Sequence, residues 1–106
     1  MIPKQLQIDF ICISLKISLH NKSKECHTNA RVICKELKKL GHPSVFVTGI
    51  YDNPPKTIRH SWIECGEFIC ETDCKQLREE GDLMPNEFCA VLPKEKFIHR
   101  YKVVEA

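Results

Sequence analysis

The sequence predicts an α+β domain in which one main helix packs on a mostly antiparallel β-sheet. One segment places its apolar side chains at helical spacing, and several short runs rich in β-branched and aromatic residues follow it. Together, one helix and a series of strands, two of them joined by a hairpin signal, predict this architecture. We expect a single domain over residues 1–106, because no repeat or linker composition divides the chain.

The helix is predicted over residues 24–40. Asn21 and Ser23 are candidate N-cap residues, and Gly41 followed by His42 and Pro43 is a stop signal. The opposite, basic face includes Lys35 and Lys38 and is interpreted as a solvated surface. The apolar face is formed by residues spaced three or four apart, with one adjacent pair: Cys26, Ala30, Ile33, Cys34, Leu37 and Leu40.

The segment before this helix is ambiguous. Residues 13–19 alternate apolar and polar side chains, which predicts a half-buried strand. Leu6, Phe10, Ile13 and Ile17 also satisfy helical spacing, so a helix stays open as the alternative. We expect the strand.

Five further strands complete the predicted sheet. They are expected at residues 44–51, 58–65, 68–73, 88–92 and 97–104, with a polar loop or short helical turn over residues 75–87. Gly66 and Glu67 separate the second and third of these strands. A glycine at the first position of a two-residue loop predicts a type II′ hairpin.

Charge and cysteine content exclude several classes of protein. The net charge is only +2, which argues against nucleic-acid binding driven by bulk charge. No segment is apolar enough for a membrane helix, and no export signal is recognised, so we expect a cytoplasmic protein with reduced thiols. Seven cysteines are present, but none of the usual zinc spacings appears, and core packing is the favoured role for Cys65 and Cys70.

The hairpin register predicts a histidine–carboxylate pair. If Gly66 and Glu67 form the loop, His60 lies directly opposite Asp73, with Cβ atoms about 4.5–5.5 Å apart. A carboxylate beside an imidazole orients a general base and stabilises its protonated form. Glu64 and Glu71 lie on the same face of the hairpin and are alternative partners for His60.

Cys26 is the candidate nucleophile. It lies in the first turn of the predicted helix, where unpaired backbone N–H groups favour the thiolate over the thiol. A neighbouring imidazolium would lower its pKa further. A cysteine at a helix N-terminus, with histidine and carboxylate on neighbouring strands, is typical of an activated sulfur nucleophile.

These residues resemble the core of the transglutaminase-like superfamily over roughly residues 23–75, about half of the chain. The similarity rests on spacing and order: Cys26, Ala30, Leu37, Gly41-His42-Pro43, Val47-Thr48-Gly49-Ile50-Tyr51, His60-Ser61-Trp62-Ile63-Glu64 and Thr72-Asp73. In that family a nucleophilic cysteine begins a helix, and a His-Ala-Trp-Val-Glu strand and an aspartate follow. The chain departs from the pattern at His27, where relatives often have an aromatic residue, and at Cys74, where they have proline.

The resemblance implies a papain-like triad of Cys26, His60 and Asp73, with no metal or organic cofactor. The implied reaction is acyl transfer on a peptide or protein substrate, with hydrolysis favoured over cross-linking because so short a chain offers few loops to exclude water. The alternative is a non-catalytic binding or zinc-holding module in which the cysteines are structural.

Overall fold

The protein is an α+β domain built on a five-stranded antiparallel sheet. A computed structural model of the chain describes residues 3–20, 26–53, 56–72 and 90–105. The elements in chain order are α1 (Lys4–His20), α2 (Cys26–Lys39), β1 (Val45–Asn53), β2 (Lys56–Cys65), β3 (Phe68–Glu71), β4 (Ala90–Pro93), α3 (Lys94–Phe97) and β5 (Tyr101–Glu105).

The first element is a helix, so the predicted strand over residues 13–19 is wrong. Leu6 and Phe10 are buried, and Ile13 and Ile17 pack against the same core, which is the helical spacing. Leu15, which the alternating pattern placed with Ile13 and Ile17, is 45% exposed on the other side of α1. The alternation divides its apolar residues between two helix faces, and only one of them packs.

The second helix is confirmed, with bounds within two residues of those predicted. Ala30, Ile33, Cys34 and Leu37 are all buried, and Gly41 adopts a φ of +89° just after the helix end. The basic residues of the last turn, Lys38 and Lys39, are exposed near the negative end of the helix dipole.

The strands pair in the order β4-β3-β2-β1-β5, and every described pairing is antiparallel. The β2–β3 register is the predicted one, with Cys65 opposite Phe68 and Ile63 opposite Cys70. Gly66 has a φ of +61° and Glu67 a negative φ, which identifies the type II′ turn.

The ends of the predicted strands differ from those observed. The strand expected at residues 68–73 is β3, which ends at Glu71. The strand expected at residues 97–104 begins at Tyr101, because the short helix α3 occupies Lys94–Phe97. The strand expected at residues 88–92 is described from Ala90 and ends at Pro93. The loop expected at residues 75–87 lies outside the described residues.

The sheet separates two hydrophobic clusters. The helix face of the sheet contacts α1 and α2 and carries Ile63, Cys65, Cys70 and Val91. The opposite face, called the His60 face here, carries an aromatic cluster: Val47, Tyr51, Trp62, Ile69, Ala90, Leu92 and Tyr101. Strand alternation places His60 and Glu71 on this second face.

None of the helices in the described part of the chain is long and apolar enough to cross a membrane.

Candidate active site

His60 and Glu71 form a buried pair on the His60 face. The Nε2 atom of His60 lies 2.8 Å from both carboxylate oxygens of Glu71. Their side chains are 1% and 0% exposed. A carboxylate taken out of water is stable only when donors surround it, and this N–H is one such donor.

Tyr101 supplies a second donor to the same carboxylate. Its hydroxyl donates to Oε1 of Glu71 at 2.8 Å. Tyr101 lies on the same face of the sheet, on the edge strand β5, and strands β2 and β1 lie between β5 and β3. The bond joins side chains 30 positions apart in the sequence. Glu71 is therefore held from β2 and β5 together, and its position depends on the whole sheet.

The hairpin explains why Glu71 reaches His60. One step along the observed β2–β3 register sets Glu71 across from Trp62, which makes it the diagonal neighbour of His60. Diagonal neighbours in an antiparallel pair are about 7–8 Å apart, within reach of long side chains. A glutamate spans this separation, because its carboxylate lies one methylene further from the backbone than that of aspartate.

Aromatic rings enclose the pair. The ring centroids of Tyr51 and Trp62 each lie 6.2 Å from that of His60, the first edge-on and the second stacked. Tyr101 packs edge-on against both, with centroids at 5.0 Å from Tyr51 and 4.9 Å from Trp62. These contacts restrict the rotation of the imidazole and exclude water from the carboxylate.

Gly49 makes room for this packing. It lies directly opposite His60 in the β1–β2 register, beside an irregularity in the pairing of β1 with β5. A Cβ atom at this position would overlap the backbone carbonyl of Lys102 and come within 2.7 Å of the Trp62 ring. A side chain here would separate β5, and with it Tyr101, from the site.

The hydrogen bond to Glu71 determines which nitrogen of His60 can act as a base. Nε2 carries the proton that it donates to the carboxylate, so in the neutral imidazole Nδ1 is the basic nitrogen. A negative carboxylate also stabilises the imidazolium that forms when Nδ1 takes a proton. The pair therefore has the orientation that a general base requires.

Of the three predicted triad residues, only His60 has its side chain among the described residues. His60 is on β2 as predicted, and its described carboxylate partner is Glu71, one of the two alternatives to Asp73. Asp73 lies outside the described residues, and so does the side chain of Cys26, although Cys26 begins α2 as predicted. The carboxylate of the other alternative, Glu64, accepts a hydrogen bond from Trp62 Nε1 at 3.2 Å and forms an ion pair with Lys94 Nζ at 2.6 Å.

The position of α2 bears directly on the predicted triad. Its buried residues Ile33, Cys34 and Leu37 pack on the helix face, with Ile63 and Cys65. His60 and Glu71 lie on the opposite face. The predicted triad therefore requires the Cys26 thiol, in the first turn of α2, to reach His60 Nδ1 around the edge of the sheet, because the packed part of α2 lies on the opposite face.

Comparison of the chain with protein-family models, with curated protein sequences and with solved structures finds no match. The transglutaminase-like resemblance therefore stays a prediction that rests on the quoted residues.

Two members of the site were missed in the sequence. Tyr51 and Tyr101 face each other in the β1–β5 register, a pairing of strands that are distant in the chain. A tyrosine in each of two predicted strands was visible, but their adjacency was not.

Among the described residues no group of three or more His, Cys, Asp or Glu side chains is arranged to hold a metal ion.

Proposed function

We propose that this chain is a thiol-dependent acyl-transfer enzyme of transglutaminase-like fold that hydrolyses peptide or amide bonds. Cys26 is the nucleophile, His60 the general base and Glu71 the residue that orients His60. The observation that carries the proposal is the buried contact of His60 Nε2 with the Glu71 carboxylate, which directs Nδ1 toward proton transfer.

In the proposed reaction His60 Nδ1 takes the thiol proton of Cys26, and the thiolate sulfur attacks the substrate carbonyl carbon. The imidazolium then returns the proton to the leaving amine as the C–N bond breaks, which leaves a thioester. Water, deprotonated by the same nitrogen, hydrolyses the thioester and regenerates the thiol. Glu71 keeps its hydrogen bond to Nε2 throughout and stabilises the imidazolium, as the carboxylate of a triad does.

The start of α2 at Cys26 supports the choice of nucleophile. Backbone N–H groups of the first turn have no partner within the helix, so they stabilise a thiolate and the oxyanion that forms on attack. The exposed thiol of Cys12, in the middle of α1, has no such environment. Cys34, Cys65 and Cys70 are buried on the helix face.

The test is nucleophile reactivity with a small acyl donor. With p-nitrophenyl acetate we expect a burst of one p-nitrophenolate per chain, followed by turnover, and with iodoacetamide we expect fast labelling of Cys26. Both should be lost in Cys26→Ala and His60→Ala and reduced in Glu71→Gln. Glu67→Gln, the same chemical change at an exposed turn residue of the same hairpin, should leave both unchanged.

A second candidate is a non-catalytic domain in which His60, Glu71 and Tyr101 form a structural network. It is favoured by the 1% exposure of the His60 side chain and by the location of the pair on the face away from the packed part of α2. In that case Cys26 labels no faster than the exposed thiol of Cys12, and no burst occurs. A stoichiometric zinc ion in the purified protein would favour the metal-holding form of this candidate.

A further inference from the structure

Cys65 and Cys70 form a second reactive cluster on the helix face. Their sulfur atoms lie 3.3 Å apart across the β2–β3 hairpin, and both residues carry thiols. The register pairs Cys65 with Phe68 and Ile63 with Cys70, so the two cysteines are diagonal neighbours on one face. A disulfide has an S–S distance of about 2.04 Å, so the sulfurs need to approach by about 1.3 Å.

The surroundings of Cys65 favour its thiolate. The Cys70 thiol is the strongest influence and lowers the pKa of Cys65 to about 7 by hydrogen bonding. The Ser44 hydroxyl, 3.6 Å from the sulfur, and the nearby His42 act in the same direction, while burial opposes them. The thiolate is the form that attacks a disulfide, and a thiol whose pKa is close to ambient pH attacks fastest.

Cys34 shows the effect of burial on a thiol in the same core. It packs in the same cluster, and burial is the main influence that raises its pKa above the ordinary value. Cysteines that only fill a core are expected to behave in this way. The pKa of Cys34 is raised and that of Cys65 is lowered in the same cluster. Cys34 is therefore a matched control for a cysteine that fills the core without being reactive.

We propose that Cys65 and Cys70 are a redox-active dithiol pair that low-molecular-weight disulfides oxidise to an intramolecular disulfide. The Cys65 thiolate attacks one sulfur of the small disulfide and releases the other half as a thiolate, which takes up a proton. Cys70 then loses its proton and attacks the Cys65 sulfur, releasing the second half as a thiol. Two protein thiols become one disulfide, and the small disulfide is reduced to two thiols.

The end of the hairpin provides the access that this reaction needs. Cys65 is the last residue of β2 and is 5% exposed, and the next residues, Gly66 and Glu67, are exposed. Local opening of a two-residue turn exposes the sulfur without unfolding the sheet. The pair lies on the face opposite His60, so the proposal is independent of the acyl-transfer function.

The experiment uses the whole folded protein and oxidised glutathione as the probe. After incubation at neutral pH, remaining thiols are blocked with excess N-ethylmaleimide at mildly acidic pH, and the chain is cut with a glutamate-specific protease. Cleavage after Glu64, Glu67 and Glu71 places the two cysteines on separate peptides, residues 65–67 and 68–71, and separates both from Cys74. We expect these two peptides to be recovered as one disulfide-linked species, lighter by two hydrogen atoms than their sum.

Variants show whether the link is specific. Cys34→Ala should keep the link, whereas Cys70→Ala should leave Cys65 as a mixed disulfide with glutathione, and circular dichroism should show that both variants are folded. Recovery of the two peptides separately alkylated from the wild type overturns the proposal. So does a link that forms only in denaturant, or a mixed disulfide at Cys65 that Cys70 does not resolve. The mapping on the wild-type protein decides the matter even if a variant fails to fold.

Discussion

Replacing Glu71 with glutamine tests whether the buried pair is a true ion pair with two donors. Glutamine keeps the shape of the side chain, and its carbonyl oxygen in the place of Oε1 can still accept from His60 Nε2 and from the Tyr101 hydroxyl, but its NH₂ group in the place of Oε2 then faces the Nε2–H group of His60. Two N–H donors face each other in a buried site, and the charge that strengthened the bonds to His60 and Tyr101 is lost. We expect a loss of about 3 kcal/mol in the free energy of unfolding.

Urea denaturation followed by tryptophan fluorescence measures this loss. The chain has one tryptophan, Trp62, which is fully buried and stacked on His60, so its emission reports directly on the site. For a chain of 106 residues the expected loss corresponds to a fall of roughly 15 °C in the melting temperature. Glu67→Gln, at an exposed position, should stay within about 0.5 kcal/mol of the wild type.

The result that would refute the reasoning is a Glu71→Gln protein as stable as Glu67→Gln. It would mean that the carboxylate is solvated or protonated in solution, so that Glu71 does not hold His60. Tyr101→Phe adds an independent comparison. It removes one donor and leaves the His60 bond in place, so its cost should be smaller than that of Glu71→Gln, and the two losses should not add because both changes affect one carboxylate.

Three further predictions concern other parts of the fold. Gly49→Ala should lower the unfolding free energy by about 2 kcal/mol or more in the same assay, because the added Cβ meets the Trp62 ring and the Lys102 carbonyl. Gly41→Ala is the control: no atom lies within 4 Å of the added Cβ, so the variant should show only the cost of the positive φ, about 1 kcal/mol. The pKa of Asp9 is lowered chiefly by its 2.7 Å hydrogen bond from His42, so the stabilisation is fully present above the ordinary value of 3.8 and is lost as pH falls through the lower folded-state value. The urea midpoints of wild type and Asp9→Asn should therefore converge below that pH, and a constant difference would contradict the assignment. Finally, the rate of Cys65 alkylation by iodoacetamide should rise with pH, with a midpoint near pH 7 in the wild type. In Cys70→Ala the midpoint should move up toward the ordinary thiol value, because the Cys70 thiol is the main cause of the low pKa. Identical pH profiles would show that Cys70 does not lower the pKa of Cys65.

The local parts of the fold could be predicted from the sequence. The sequence around helix α2 offers N-cap candidates, a stop signal and one apolar face, and these agree with one another. The β2–β3 register follows from Gly66, because a two-residue loop with a positive φ at its first position leaves one way to pair the flanking strands. Both predictions depend on interactions between residues close in sequence.

Helix α1 could not be predicted in the same way, because its apolar residues fit two periods. Ile8 and Leu15 are 46% and 45% exposed, so they add apolar side chains that do not pack in the core and that hide the helical face. The contacts of α1 with α2 and with the sheet select between the two interpretations, and those contacts are tertiary. The pairing of β1 with β5, which brings Tyr101 to Glu71, is hidden from the sequence for the same reason.

The contact of Glu71 with His60 depends on side-chain length as much as on register. The predicted hairpin places Asp73 directly opposite His60, and Glu71 shares the same face as its diagonal neighbour. A glutamate is long enough to reach a diagonal neighbour. In this sheet the Tyr101 hydroxyl, on β5, donates a second hydrogen bond to the same carboxylate. A carboxylate between two donors from different strands is fixed more firmly than one that meets a single imidazole. The register therefore predicts the histidine and the face, whereas the second donor to Glu71 comes from β5, whose pairing with β1 the sequence does not reveal.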